Sequence, residues 1–127
     1  MARPVYVIDD DALVLDLVCG KLAKAGFAPS GYSDQAEFLE AAPKLAEGCV
    51  VLDLNMPGMD GLEVQRSLQE LGCDFPVIFY TSKGQVRHAV EGMRAGAVDF
   101  VQKSPAIEPL LRALEQAFEG LDRRRKG

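Results

Sequence analysis

The chain has 127 residues, of which 48% are hydrophobic and 26% charged, a length and balance that fit one soluble globular domain and exclude two. No apolar run approaches the roughly 20 residues of a membrane span, and the start, Met1-Ala2-Arg3-Pro4, has no signal-peptide core, so a cytoplasmic protein is expected. Net charge is −5, but Arg123, Arg124, Arg125 and Lys126 supply four positive charges, leaving −9 on residues 1–122; a body that acidic is a poor direct binder of nucleic acid.

The first element is the strand-like run Val5–Ile8, followed by three acids, Asp9, Asp10 and Asp11. Leu15, Val18, Leu22 and Ala25 then fall on one face of a helix. Phe27–Tyr32 is a weak second strand, its Pro and Gly suiting an edge. Asp34 with Glu37 three residues on makes a capping-box pattern for a second helix, which Pro43 stops or kinks near Ala42. The third run, Cys49–Leu54, is β-branched and hardly alternates, as do the first and the fourth, Phe75–Tyr80. Strands buried on both faces of a parallel sheet read this way. Val64, Leu68 and Leu71 give a third amphipathic helix, and Val86, Val90 and Met93 a fourth. Ala97–Val101 is the fifth run. Ser104-Pro105 then offers an N-cap and an N1 proline for a last helix carrying Leu110, Leu111, Leu114, Ala117, Phe118 and Leu121. Five β-α units in alternation imply a doubly wound α/β domain with a parallel sheet between helix layers. Residues 1–122 form that domain, and 123–127 read as a basic tail or the start of a linker.

Ligands in such sheets bind beyond the carboxyl ends of the strands. Those ends carry Asp9, Asp10 and Asp11, then Asp53 followed by Asn55, then Thr81-Ser82-Lys83, then Lys103-Ser104. Crowded carboxylates raise their pKa values or recruit a cation. With no CxxC pair and a single His88, oxygen ligation favours a hard ion, Mg²⁺ before Ca²⁺. An amine and a hydroxyl at the same edge suit phosphoryl oxygens, so the set reads as a phosphoryl-transfer site. Residue types alone leave open which carboxylate is the nucleophile. Asp11 reads as a helix start, and Cys19, Cys49 and Cys73 as small buried hydrophobes.

The segments VYVIDDD, VVLDLNMPGMDGLE, PVIFYTS and AGAVDFVQK, in that order along nearly the whole chain, resemble the receiver domains of two-component response regulators. The stretch AVEGMRAGAVDF is similar to receivers joined to transcription-regulating output domains. The resemblance implies a flavodoxin-like fold with strand order 2-1-3-4-5. It makes Asp53 the phosphoacceptor, with Mg²⁺ held by Asp10, by Asp9 through water, by Asp53 and by the Asn55 backbone carbonyl. Thr81 and Lys103 would hold phosphoryl oxygens, and Thr81 with Phe100 would form the switch that reshapes the surface of the fourth helix, fifth strand and fifth helix. The implied partners are a sensor histidine kinase or phosphotransfer protein and a second copy in a phosphorylation-linked dimer. Catalysis is limited to the domain's own phosphorylation and dephosphorylation. Two other readings are a degenerate receiver that binds partners without phosphorylation and an aspartyl-phosphate phosphatase. The latter class wants a second Asp two residues after the nucleophile, where this chain has Asn55. Members of the family usually place Pro after the active-site lysine, with a cis bond. Here Ser104 follows Lys103, and a trans bond is expected because a non-proline cis bond costs about 2.5–4 kcal/mol.

Overall fold

The computed structural model describes residues 2–54, 61–82 and 86–126, with the backbone alone at 86–89 and 125–126. Five strands, β1 (Pro4–Ile8), β2 (Ala28–Tyr32), β3 (Cys49–Leu52), β4 (Val77–Thr81) and β5 (Asp99–Gln102), alternate with five helices. These are α1 (Ala12–Lys24), α2 (Gln35–Ala41), α3 (Gly61–Glu70), α4 (Val86–Arg94) and α5 (Glu108–Lys126). The sheet is parallel throughout, in the order β2-β1-β3-β4-β5 expected of a flavodoxin-like receiver fold.

The lack of alternation in the three central runs has a simple cause. Side chains of one strand point to opposite faces, and both faces are covered. Val5, Val7, Val51, Ile78 and Tyr80 pack with Leu15, Val18 and Leu22 of α1 and Leu110, Leu114, Phe118 and Leu121 of α5. Tyr6, Ile8, Val50, Leu52 and Phe79 pack on the other side with Phe38 of α2 and Val64 and Leu68 of α3. The weak second run does form the edge strand, mostly exposed, with Pro29 and Gly31 inside it.

Local signals explain most helix ends. Asp11 caps α1, its carboxylate accepting from the backbone N–H groups of Leu13 and Val14, and Asp34 caps α2 through Ala36 N–H. Pro43 ends α2 at Ala41 and leaves a 3-10 turn over Ala42–Lys44. Helices α1, α3 and α4 close on glycines with positive φ, Gly26, Gly72 and Gly96, each followed by a residue whose N–H reaches back five positions.

Four expectations require correction. Ser104-Pro105 does not start α5: the helix begins at Glu108 with Pro109 in its first turn, and the Ser104 hydroxyl donates to the Ala106 carbonyl. Of the helical stripes, Ala25 and Leu71 lie outside the core, each in the last turn or just beyond its helix. Val90 and Met93 of α4 are also exposed, at 42% and 38%. Of the cysteines, all free, Cys49 is buried but Cys19 and Cys73 are only half-buried.

At the amino-terminal end of the sheet, Arg3 makes a two-pronged ion pair with Asp122 at 3.0 and 3.1 Å and lies 4.2 Å above the Phe118 ring. Residues 123–126 continue α5, where Arg124 pairs with Asp74 at 2.9 Å. Burial pushes the nearby Cys49 thiol up to about 12, although Arg3 and Arg124 pull the other way. Above the usual thiol pKa of 9 the unfolded chain releases this proton while the folded chain keeps it, so stability falls as pH rises from there. Denaturant melts between pH 8.5 and 11 are expected to show a loss of about 2.5 kcal/mol that Cys49→Ala largely removes. Equal slopes in both proteins would contradict this.

Candidate functional site

The carboxyl edge of the sheet is built by continuing the strand ladder one residue past each strand. Asp9 N–H donates to Tyr32 O at 3.1 Å and Asp53 N–H to Ile8 O at 3.1 Å, which sets the two acids on neighbouring strand ends. Lys103 N–H donates to Thr81 O at 2.6 Å, extending β5 along β4. These backbone bonds make the placement rigid, because none of the three side chains depends on a free loop for its position.

Lys103 joins the acids. Its Nζ donates to Asp9 Oδ2 at 2.8 Å and to Asp53 Oδ2 at 3.2 Å. Asp9 and Asp53 are 3% and 6% exposed, and buried carboxylates need such partners. The other Asp9 oxygen accepts the Asp11 backbone N–H at 2.9 Å. Burial by itself would lower the Lys103 pKa. The hydrogen bond to Asp9 and the charges of Asp53 and Asp9 together outweigh burial and raise it above the ordinary lysine value. The lysine is therefore a fixed positive charge at any physiological pH.

Asp10 stands beside this pair, exposed, and carboxylate oxygens of Asp9, Asp10 and Asp53 lie within 4.8 Å of one another. Three carboxylates of this kind, with no nitrogen or sulfur donor among them, fit a hard divalent cation with retained waters. The exposed member leaves the solvent side open for those waters and for an incoming group.

Thr81 is buried at the end of β4, and Ser82 after it is exposed. Phe100, in register with Phe79 across β4 and β5, is 38% exposed, so it is not part of the core in this arrangement. The Lys103–Ser104 bond is trans, as expected, and Lys103 nevertheless reaches both carboxylates. Asn55, the Met56-Pro57-Gly58 turn, Lys83 and Gly84 lie outside the described residues. His88 falls in α4, at a position where only the backbone is described.

Two contributors went unnoticed in the sequence. Gly61 begins α3 against the strand that carries Asp53: a Cβ there would sit 2.8 Å from Asp53 O and 2.9 Å from Leu54 Cα. The signal was the glycine following Asp60, readable as a helix start but not as a close approach. The second is the direct Lys103–Asp9 pair, which no motif encodes because the two residues are 94 positions apart.

Fold and site together define a class: a doubly wound five-stranded domain with an acid cluster and a lysine at the carboxyl edge of its sheet. The chain belongs to the response regulator receiver domain family, whose model matches residues 5–115. It is 42% identical over 114 residues to the transcriptional regulatory protein FixJ of Bradyrhizobium diazoefficiens, covering 90% of this chain and 56% of that one. Similarity to the response regulator protein TodT of Pseudomonas putida is 39% over 118 residues, covering 93% and 52%. The crystal structure of FixJ-N superposes with a TM-score of 0.89 at 37% identity over 94% of this chain and 95% of that one. Full-length FixJ from B. japonicum gives 0.92 at 39% identity, over 98% of this chain and 61% of that one. The chain thus spans about half the length of the curated relatives it matches.

Proposed function

We propose that this receiver is a Mg²⁺-dependent phosphorylation switch with Asp53 as its phosphoacceptor. The observation that carries the reading is Asp53 itself, buried at a strand end, hydrogen-bonded to Lys103 and close to both Asp9 and Asp10. An Asp53 oxygen attacks the phosphorus of a phosphohistidine on a sensor kinase or phosphotransfer protein. The P–N bond breaks as the P–O bond forms, and the histidine leaves protonated. Asp9, Asp10, Asp53 and the Asn55 backbone carbonyl would hold Mg²⁺, which when bound offsets the charge of the phosphoryl oxygens. Lys103 stabilises the same oxygens, giving up its bond to Asp53 to do so, and the Thr81 hydroxyl donates to another.

Added charge at Asp53 becomes a signal only through an element with two arrangements. Thr81, drawn toward the phosphoryl group, vacates space beside β5, and Phe100 turns inward to fill it. That reshapes the surface formed by α4, β5 and α5, which controls an output domain or a second copy of the chain. Regulation of transcription in the cytoplasm is the output suggested by similarity to FixJ and TodT, with residues 1–122 as the receiver and 123–127 leading into a linker. The acidic body does not contact nucleic acid itself. Phe100→Ala is expected to accept phosphoryl normally while losing phosphorylation-linked dimerisation or output binding, measured by light scattering or partner titration; full retention would remove Phe100 from the switch.

The test is intact mass after incubation with acetyl phosphate. Addition of one phosphoryl group with Mg²⁺, none with a chelator and none in Asp53→Ala supports the proposal. No gain under any condition would favour a degenerate receiver that binds partners unphosphorylated. A gain retained by Asp53→Ala would place the acceptor on another carboxylate.

A further inference from the structure

Among the described side chains of helix α4, residues 90–94, the apolar ones form no buried stripe. Val90 and Met93 are exposed, and among its described residues the helix buries Gly92, where its backbone lies so close to the Phe79 ring that a Cβ would overlap it. Two further ties are polar and come from α3. Gln65 Nε2 donates to Gly92 O at 3.3 Å and Gln69 Nε2 to Ala95 O at 2.8 Å. Four residues apart, the two glutamines share one face of α3.

Both acceptors belong to the carboxyl end of α4, where a helix runs out of its own N–H donors. The chain answers part of that need itself: Gly96 N–H reaches Met93 O at 3.1 Å and Ala97 N–H reaches Gly92 O at 3.0 Å. Gln69 adds a donor for Ala95 O, and Gln65 adds a second for Gly92 O. Amide donors at this end also oppose the negative pole of the helix dipole.

Gln65 does this at a cost. It is 3% exposed, and among the described residues its Oε1 has no hydrogen-bond partner. A leucine would fill the space between two helices without stranding a buried oxygen, so packing alone does not account for a glutamine here.

We propose that Gln65 and Gln69 form a capping clamp that positions α4 in the resting arrangement and sets how readily the α4–β5 surface switches when Asp53 is phosphorylated. The inference rests on the receiver reading given above. The seat of the clamp is one strand from the proposed switch residue, since Phe79 under Gly92 is in register with Phe100. A contact made only in the resting arrangement weakens binding at Asp53 by the factor with which that binding weakens the contact. Because the stranded Oε1 subtracts from the clamp, it holds α4 without locking it.

The experiment compares the full chain with Gln69→Ala, Gln65→Met and Gln69→Lys, the last keeping a long donor for Ala95 O. Two quantities are read in each: hydrogen exchange at the Ala95, Gly96 and Ala97 amides, and affinity for beryllofluoride with Mg²⁺ as a stand-in for the phosphoryl group. Gln69→Ala and Gln65→Met are expected to speed exchange at the α4 end roughly 5-fold and to tighten beryllofluoride binding by a similar factor, while Gln69→Lys stays near wild type. Faster exchange with unchanged or weaker affinity would overturn the proposal and leave only a helix cap. Unchanged exchange would overturn the cap as well. If the wild-type chain binds no beryllofluoride, the receiver reading and the regulatory role fall together, and the exchange data separately decide whether the cap exists.

Discussion

Lys103→Met is expected to cut phosphoryl uptake from acetyl phosphate at least about 100-fold and to destabilise the Mg²⁺-free fold by roughly 2–4 kcal/mol. The two effects have one origin. Lys103 is the cation bonded to both buried acids, at 2.8 Å from Asp9 and 3.2 Å from Asp53. Methionine keeps the stem and its packing but leaves two neighbouring buried carboxylates facing one another. Removing one partner of a buried pair costs far more than the pair contributes, because the remaining charge stays desolvated. The cost falls below the roughly 3–5 kcal/mol of a fully buried pair because the Lys103 side chain is 20% exposed, so water screens part of the interaction. Urea melts at neutral pH check the stability, and acetyl phosphate time courses followed by mass check the rate. Adding Mg²⁺ should recover part of the stability and little of the rate. A double-mutant cycle sharpens the point: in an Asp53→Asn background the same lysine change should cost markedly less, since one of the two charges is already gone. In the wild-type chain the lysine's contribution is fully present below its ordinary pKa of 10.5 and is lost as pH rises through the raised folded value.

The central architecture was legible because both faces of β1, β3 and β4 are buried, which gives continuous apolar runs, and because those runs alternate with helix-period segments. The site was legible for a related reason: each strand is rigidly followed by one residue at the carboxyl edge, so Asp9, Asp53 and Lys103 could be placed by counting. Two kinds of feature were not legible. Spacing at 3.6 residues identifies a helix but not the depth at which it sits, which is why Val90 and Met93 read as core and are exposed. Gly92 sets that depth, and a glycine carries no pattern of its own. Ser104-Pro105 likewise has the chemistry of a helix start, yet α5 begins only at Glu108, after Ile107 has packed on the core, with Pro109 in its first turn. Pairs distant in the chain, such as Lys103 with Asp9 or Gln65 with Gly92, leave no local trace.

The adjacent acids after β1 offer a second large effect, because similar chemistry in the same turn is assigned to different work. Asp10→Asn is expected to weaken Mg²⁺ binding roughly 10- to 100-fold while leaving unfolding in metal-free buffer nearly unchanged. Asp11→Asn should do little to either, and Asp11→Ala should cost about 1 kcal/mol of stability with Mg²⁺ affinity retained. The reasoning turns on what each carboxylate touches. Asp11 accepts two backbone N–H groups of α1, at 3.0 and 3.3 Å, and asparagine keeps a carbonyl oxygen for that purpose. Asp10 has its oxygens near those of Asp9 and Asp53 and is exposed, so its charge is available to a cation and unnecessary to the fold. Asp9 differs from both, tied to Lys103 and to the Asp11 N–H, so Asp9→Asn should disturb stability and metal binding together. Calorimetric Mg²⁺ titration and denaturant melts on the same preparations separate the three residues. If Asp11→Ala rather than Asp10→Asn removed the metal, the cation would sit at the helix cap, and the phosphoryl site would have to be rebuilt around that position.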